Sequence, residues 1–158
     1  MRKIFIISIL LLILFSFGCT AKEEPTIKIG ISDDNPPFCS MIDGSPVGID
    51  MDIALNIIRV LEFPYEISVM SQDDIALKLE TGELDLGFVY LEMNEAPSAD
   101  IHYSLPYFEG TRDEEAPEIY RYMLAMPKEA KMNDDIMAAL DDLIASGELA
   151  SIMQTHIN

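Results

Sequence analysis

Between Ile27 and Leu55 the chain reads IKIGISDDNPPFCSMIDGSPVGIDMDIAL, and no other stretch limits its possible folds as tightly. Ile27, Ile29 and Ile31 alternate with Lys28, Gly30 and Ser32, the period of a strand with one buried face. Asp33, Asp34, Asn35, Pro36 and Pro37 then end the strand through turn preference and the loss of two amide donors, leaving Phe38 at its carboxyl end. From Val47 to Leu61, Ile49, Ile53, Ile57, Val60 and Leu61 fall at helical spacing, with Gly48 and Asp50 at the start. A strand, a turn and a helix returning over the strand form an α/β unit, and in open α/β sheets ligands gather at the carboxyl ends of the strands.

The alternation continues. Tyr65 to Met70 is expected as a strand, and Asp73 to Glu80 as a short helix begun by Ser71 or Asp73 and ended near Gly82. Leu84 to Tyr90 follows as a buried strand, and Glu118 to Met126 as a returning one. Ile136, Leu140, Leu143 and Ile144 mark a helical face capped by Asn133 or Asp134 and ended by Gly147, and a last helix begins at Glu148. The expected architecture is a single α/β lobe with a mostly parallel central sheet flanked by helices.

The first 18 residues have a different purpose. Arg2 and Lys3 precede the apolar run Ile4 to Phe17, the proportions of a secretory signal. Ser16-Phe17-Gly18-Cys19 resembles a lipoprotein processing box, although leucine is usual where Ser16 stands. Lipid attachment at Cys19 is therefore expected, against ordinary cleavage with Cys19 a bystander, and residues 19–25 become a short tether to the membrane. Cys39 is then the remaining thiol, so no intramolecular disulfide forms. With no base beside it, it reads as a small core filler rather than a reactive group. The chain carries 10 basic and 28 acidic residues, and removal of Arg2 and Lys3 leaves 8 against 28, a net charge of −20. Such a surface excludes nucleic acid as a partner and repels anionic lipid headgroups, so membrane residence depends on the lipid.

Taken together, Ile27 to Leu55, the phrase Leu79-Glu80-Thr81-Gly82-Glu83-Leu84-Asp85-Leu86, Ser104 to Phe108 and Tyr120 to Ile157 resemble the bacterial family 3 extracytoplasmic solute-binding proteins. In that family a strand crosses a hinge into a second lobe, and the chain later returns to complete the first. Here the nine residues Glu109 to Pro117 take the place of that excursion, so the resemblance implies a first lobe over residues 26–158 with the second lobe absent. Two departures fall at the implied ligand edge. Where amino-acid-binding members carry a threonine and, three residues on, an arginine that clamps the ligand carboxylate, this chain has Asn94 and Pro97. Proline offers no planar, forked donors. Gln72 stands where the family often places a stacking aromatic.

Catalysis has little support in the sequence. There is no nucleophile elbow, phosphate loop or paired-cysteine pattern, and His102 and His156 stand apart from other candidate groups. Asp50 and Asp52 suit a helix amino terminus better than a metal site, and no cofactor or metal is expected. The resemblance implies reversible recognition of a small polar solute, an amino acid or related metabolite, for an ABC-type transporter or for sensing. Its ligand-edge candidates are Asp33 and Asp34 for polar contacts, Phe38 for stacking, and Tyr90, Glu92 and Asn94 around the second loop. A single lobe leaves a ligand wet, so a second copy covering the cleft is one expectation. The alternative is a module in which the former hinge and cleft surface engages a protein.

Overall fold

The computed structural model describes residues 25–111 and 118–157. The leader, Cys19, most of the tether, and residues 112–117 of the short connection lie outside the described residues. Five strands share one direction and a sixth opposes them. Strands β1 (Ile27–Ile31), β4 (Tyr65–Val69) and β5 (Leu86–Glu92) pair in parallel, with β1 in the middle. Strand β8 (Ile119–Pro127) runs antiparallel to β5, and β6 (Ile101–Tyr103) and β7 (Phe108–Thr111) pair end to end along its far edge. Helices α1 (Ile49–Leu61) and α2 (Gln72–Glu80) are the parallel crossovers, and α3 (Asn133–Ala145) and α4 (Glu148–His156) close the chain. No helix among the described residues is long and apolar enough to cross a membrane.

Each face of the sheet buries its own cluster. On one, Ile27, Ile29, Ile31, Leu86, Phe88 and Leu124 meet α1, α3 and α4. On the other, Ile75 and Leu79 of α2 meet Val89, Met123 and Ala125. The alternation at β1 explains the asymmetry: the isoleucines face the three-helix side and Gly30 faces α2. A Cβ at Gly30 or at its register partner Gly87 would stand 2.6 Å from Leu84 Cδ1 or 2.5 Å from Ile75 Cγ2. The paired glycines let a nine-residue helix with only two buried apolar residues sit directly on the backbone. Each of those side chains contributes about 1.5–3 kcal/mol of burial.

Several expected boundaries shift by a residue or two. The largest difference lies between the turn and α1, where β2 (Ser40–Ile42) and β3 (Ser45–Val47) form a small antiparallel hairpin. Its turn residues, Asp43 and Gly44, both have positive φ, the two-residue geometry whose twist matches the flanking strands. At α2 the cap is Ser71, whose Oγ accepts from Asp74 N at 3.2 Å. At α3 no side chain caps the helix. Asn133 instead donates from Nδ2 to Pro127 O at 2.8 Å, fastening the helix to the end of β8.

Candidate functional site

The carboxyl ends of β1, β4 and β5 open at one edge, where α1 and α2 also begin. The turn after β1 closes on itself: Phe38 N and Cys39 N both donate to Asn35 O, at 2.8 and 3.1 Å. Helix α1 then docks on that turn, with Ile49 N donating to Pro37 O and Asp50 N to Phe38 O. Gly48, between hairpin and helix, has φ 137°, and a Cβ there would lie 2.3 Å from Phe38 O. Only glycine permits that approach. The first two amides of α1 are thus satisfied by backbone carbonyls of the turn. Asp50 and Asp52 sit in its first turn, suited to the helix dipole, but neither caps it.

Asp50 turns inward instead. It is 7% exposed and accepts from Tyr107 OH at 2.6 Å, joining α1 to the residue before β7. Burial pushes its carboxyl up to about 7, with the Tyr107 hydroxyl acting in the opposite sense, and burial also drives the Tyr107 phenol well above its ordinary value. Cys39 is fully buried, and burial, with Asp50 as the next cause, raises its thiol to about 11, which makes it an inert filler. Asp52 meets His156 at the other end of the chain, Oδ2 to Nε2 2.8 Å.

The structure joins some of the expected site residues and separates others. Asp34 accepts from Ser32 Oγ at 2.7 Å and from Tyr90 OH at 3.0 Å, so the first loop and the end of β5 meet at this carboxylate. Asp33 is exposed beside it. Phe38 does stack, but on the protein: its ring lies 3.8 Å from that of Tyr122 at 12° and 5.2 Å from Phe108, and the residue is 4% exposed. The open stacking platform expected at Phe38 is therefore closed in this lobe. The rings nearer solvent are Tyr90 and Tyr120, 5.8 Å apart at 81°. Glu92 and Asn94 lie further along β5 and its loop, where with Met93, Glu118 and Ile119 they line a recess of about 340 Å³.

Two contributors were missed from sequence. Both lie on the return strand, where antiparallel register sets Tyr120 opposite Glu92, its ring beside that of Tyr90 at the open edge, and sets Tyr122 opposite Tyr90 as a core ring, 1% exposed, that carries Phe38. Arg121, between them, points to the other face, where Nη2 donates to Glu95 O at 2.9 Å and Glu92 O at 3.3 Å and so holds the second loop. Nothing in the sequence beyond the β5–β8 pairing signals that role. Gln72 donates to Phe88 O at 3.2 Å, a structural contact in place of an aromatic face. Among the described residues no group of three or more His, Cys, Asp or Glu is placed to hold a metal ion.

A sheet in this strand order, with the carboxyl ends of parallel β1, β4 and β5 at one open edge, is that of one lobe of a periplasmic-binding-protein α/β fold. The model of the bacterial extracellular solute-binding proteins, family 3, matches residues 27–158, and the chain belongs to that family. Among solved structures it is similar to the arginine-, lysine-, histidine-binding protein ArtJ from Geobacillus stearothermophilus (TM-score 0.72, 14% identity), a match spanning 84% of this chain and 95% of that one. A mutant of domain 1 from TmArgBP, in an arginine-bound form, matches with TM-score 0.63 and 27% identity over 76% of this chain and 92% of that one. An ancestral arginine-binding protein bound to arginine matches with TM-score 0.72 and 15% identity over 86% and 100%. No curated protein matches the sequence. The family and these neighbours are solute-binding proteins, not enzymes, and the family works outside the cytoplasm.

Proposed function

We propose that this lobe is a lipid-anchored receptor that binds a small polar solute of the amino-acid class reversibly and presents it to an ABC-type transporter or a sensing partner. The observation that carries the reading is the contact between Tyr90 OH and Asp34, which draws the ends of β1 and β5 into one polar site beside the Tyr90 and Tyr120 rings. Asp33, Asp34, Tyr90, Glu92 and Asn94 are its contact residues, and Phe38 supports it from beneath through Tyr122. A relative's domain 1 in an arginine-bound form supports a lone lobe as a sufficient binder. Lipid attachment at Cys19 keeps the lobe at the envelope.

The test is calorimetric titration of the lobe beginning after Thr20 against pooled amino acids and small cationic and anionic metabolites, with oligomeric state recorded in the same sample. Saturable heat from one pool, at one solute per lobe, is the expected result. One solute per two lobes means that a second copy covers the cleft. Silence from a folded sample across all pools sinks the receptor reading. It would favour a protein-interaction module, for which Met93 at 41% and Ile119 at 47% exposure, beside the recess at the hinge end, supply apolar contact area.

A further inference from the structure

We propose that the amino edge of the sheet rests on the bilayer interface, with Val60 and Tyr65 as its contact, and that the ligand edge is thereby held pointing away from the membrane. The inference rests on the lipid attachment of the receptor reading and concerns how the anchored lobe is turned. Lipid is the occupant of this surface because of where the chain enters the fold. Ile27 opens β1 at the amino edge and its N donates to Pro64 O at 2.8 Å, so residues 25 and 26 leave the lobe beside the turn between α1 and β4. The candidate ligand loops follow the carboxyl ends of β1 and β5, at the other end of the same strands. An anchor at Cys19 therefore pulls on the edge opposite the site.

Chain length decides whether the lobe can turn over. From Cys19 to Ile27 there are eight residue steps, which reach about 28 Å when fully extended. Register sets Ile29 beside Leu86, so the rise from Ile27 to the end of β5 is two steps along β1 and six from Leu86 to Glu92, roughly 26 Å at strand spacing. The loop at 93–100 adds to that. Bringing the ligand edge down to the lipid would lift Ile27 by nearly the whole reach of the tether, with almost nothing left for the loop. Drawing a chain to its limit removes the conformational freedom of every residue in it, a cost that is absent with the amino edge down.

The side chains at the chain's exit suit an interface. Val60, in the last turn of α1, is 56% exposed, and Tyr65, at the start of β4, is 48% exposed, while Phe63 between them is half-buried against the core. Tyr65 is the register partner of Ile27, which puts the contact and the exit of the chain together. A tyrosine offers an apolar ring and a hydroxyl at the boundary that a headgroup layer provides. Lys28, Arg59, Glu62 and Glu66, exposed at the same edge, carry both signs, which matches a zwitterionic headgroup. Two side chains orient a lobe that the lipid already holds; they do not hold it alone. The site then opens to the medium, and a partner that receives the solute has to reach the outer end of the lobe.

The chain contains no tryptophan, so one introduced indole reports from a single place. The experiment compares two variants of the full-length lipidated protein, Tyr65→Trp at the amino edge and Ile42→Trp in the hairpin between the carboxyl end of β1 and the start of α1, in phosphatidylcholine vesicles whose headgroups carry a nitroxide quencher. Both positions are exposed, 48% and 57%, so each variant keeps the fold. Y65W is expected to lose several-fold more fluorescence than I42W. Equal quenching in vesicle-bound protein, or stronger quenching of I42W, overturns the inference and leaves the receptor and its anchor standing. Lipidated protein that fails to sediment with the vesicles removes the anchor, and the inference with it. Neither result bears on solute binding, which the calorimetric titration tests separately.

Discussion

The two loops at the candidate ligand edge are built in opposite ways. The first, Ser32 to Gly48, is fixed by backbone: Asn35, Pro37 and Phe38 carbonyls receive amides from the turn itself and from α1, and Phe38 is sealed under Tyr122 and Phe108. The second, Met93 to Asp100, is held mainly by side chains. Arg121 grips Glu92 O and Glu95 O, Tyr103 OH accepts from Ser98 N, and Ser98 Oγ reaches Glu80. A backbone-fixed loop keeps its shape under most side-chain changes, whereas a side-chain-held loop changes shape and chemistry together. The edge thus has a rigid half that defines the fold and an adjustable half to which the proposed function assigns the solute preference, and Asn94 and Pro97 lie on the adjustable half.

The sharpest way to break this contrast is at Gly48. Gly48→Ala puts a methyl against Phe38 O and Pro37 O at a φ that alanine rarely adopts, so turn and helix cannot both stay in place. The expected cost is about 3 kcal/mol or more, as overpacking and backbone strain combine. Urea unfolding measures it, and a loss below about 1 kcal/mol would show that the first loop yields more readily than its hydrogen bonds indicate.

A second test exploits Asp50, which ties the rigid half to β7 through Tyr107. Its carboxyl stands at about 7 when folded, against an ordinary value near 3.8. A folded state that holds its proton more tightly than the unfolded one is favoured at low pH. The sign is therefore that of a buried acid: the contribution of this group is most favourable below about pH 4, falls as pH rises toward 7, and reaches its full penalty above that. The change attributable to this group is a few kcal/mol, on the order of 1.4 kcal/mol per unit of displacement. Asp50→Asn should flatten that slope, seen as the difference between the two proteins in urea midpoint from pH 4 to pH 8. Parallel profiles would mean that Asp50 is charged and solvated at neutral pH.

Much of the rigid half was legible in the sequence, because it is written in local chemistry. Period-two isoleucines, a Pro-Pro turn and a glycine before an amphipathic helix each act over a few residues, and each falls within a residue or two of its expected place. The hairpin at Asp43-Gly44 was legible by the same logic, since that dipeptide supplies two positive φ values, but its three-residue strands are too short to show alternation. The adjustable half resists such reading because its contacts are long-range. Tyr90 meets Asp34 from 56 residues away, and Arg121 reaches Glu95 from 26. Phe38 shows the limit most clearly. Its position at the strand end promised a platform, yet whether that ring faces solute or protein depends on Tyr122, placed only by β5–β8 register.

The smallest expected effect on stability, and the most direct probe of the adjustable half, is Arg121→Met. The substitution keeps an unbranched apolar stem but gives up the bonds to Glu92 O and Glu95 O. These are partly exposed contacts, so the loss of global stability should be about 1–1.5 kcal/mol. The local consequence is larger in kind. Met93 N, now bonded to Ile119 O, and Glu95 N, bonded to Glu92 O, should lose hydrogen-exchange protection together, while Phe38, Cys39 and Ile49 amides keep theirs. Protection lost equally in both loops would mean that the edge opens as one cooperative unit and that the division into rigid and adjustable halves is wrong. Loss confined to Met93 and Glu95 means that the second loop can be reshaped while the first keeps its structure, at that modest cost in stability, which is what a lobe needs if, under the proposed function, its solute preference is to be changed at positions such as Asn94 and Pro97.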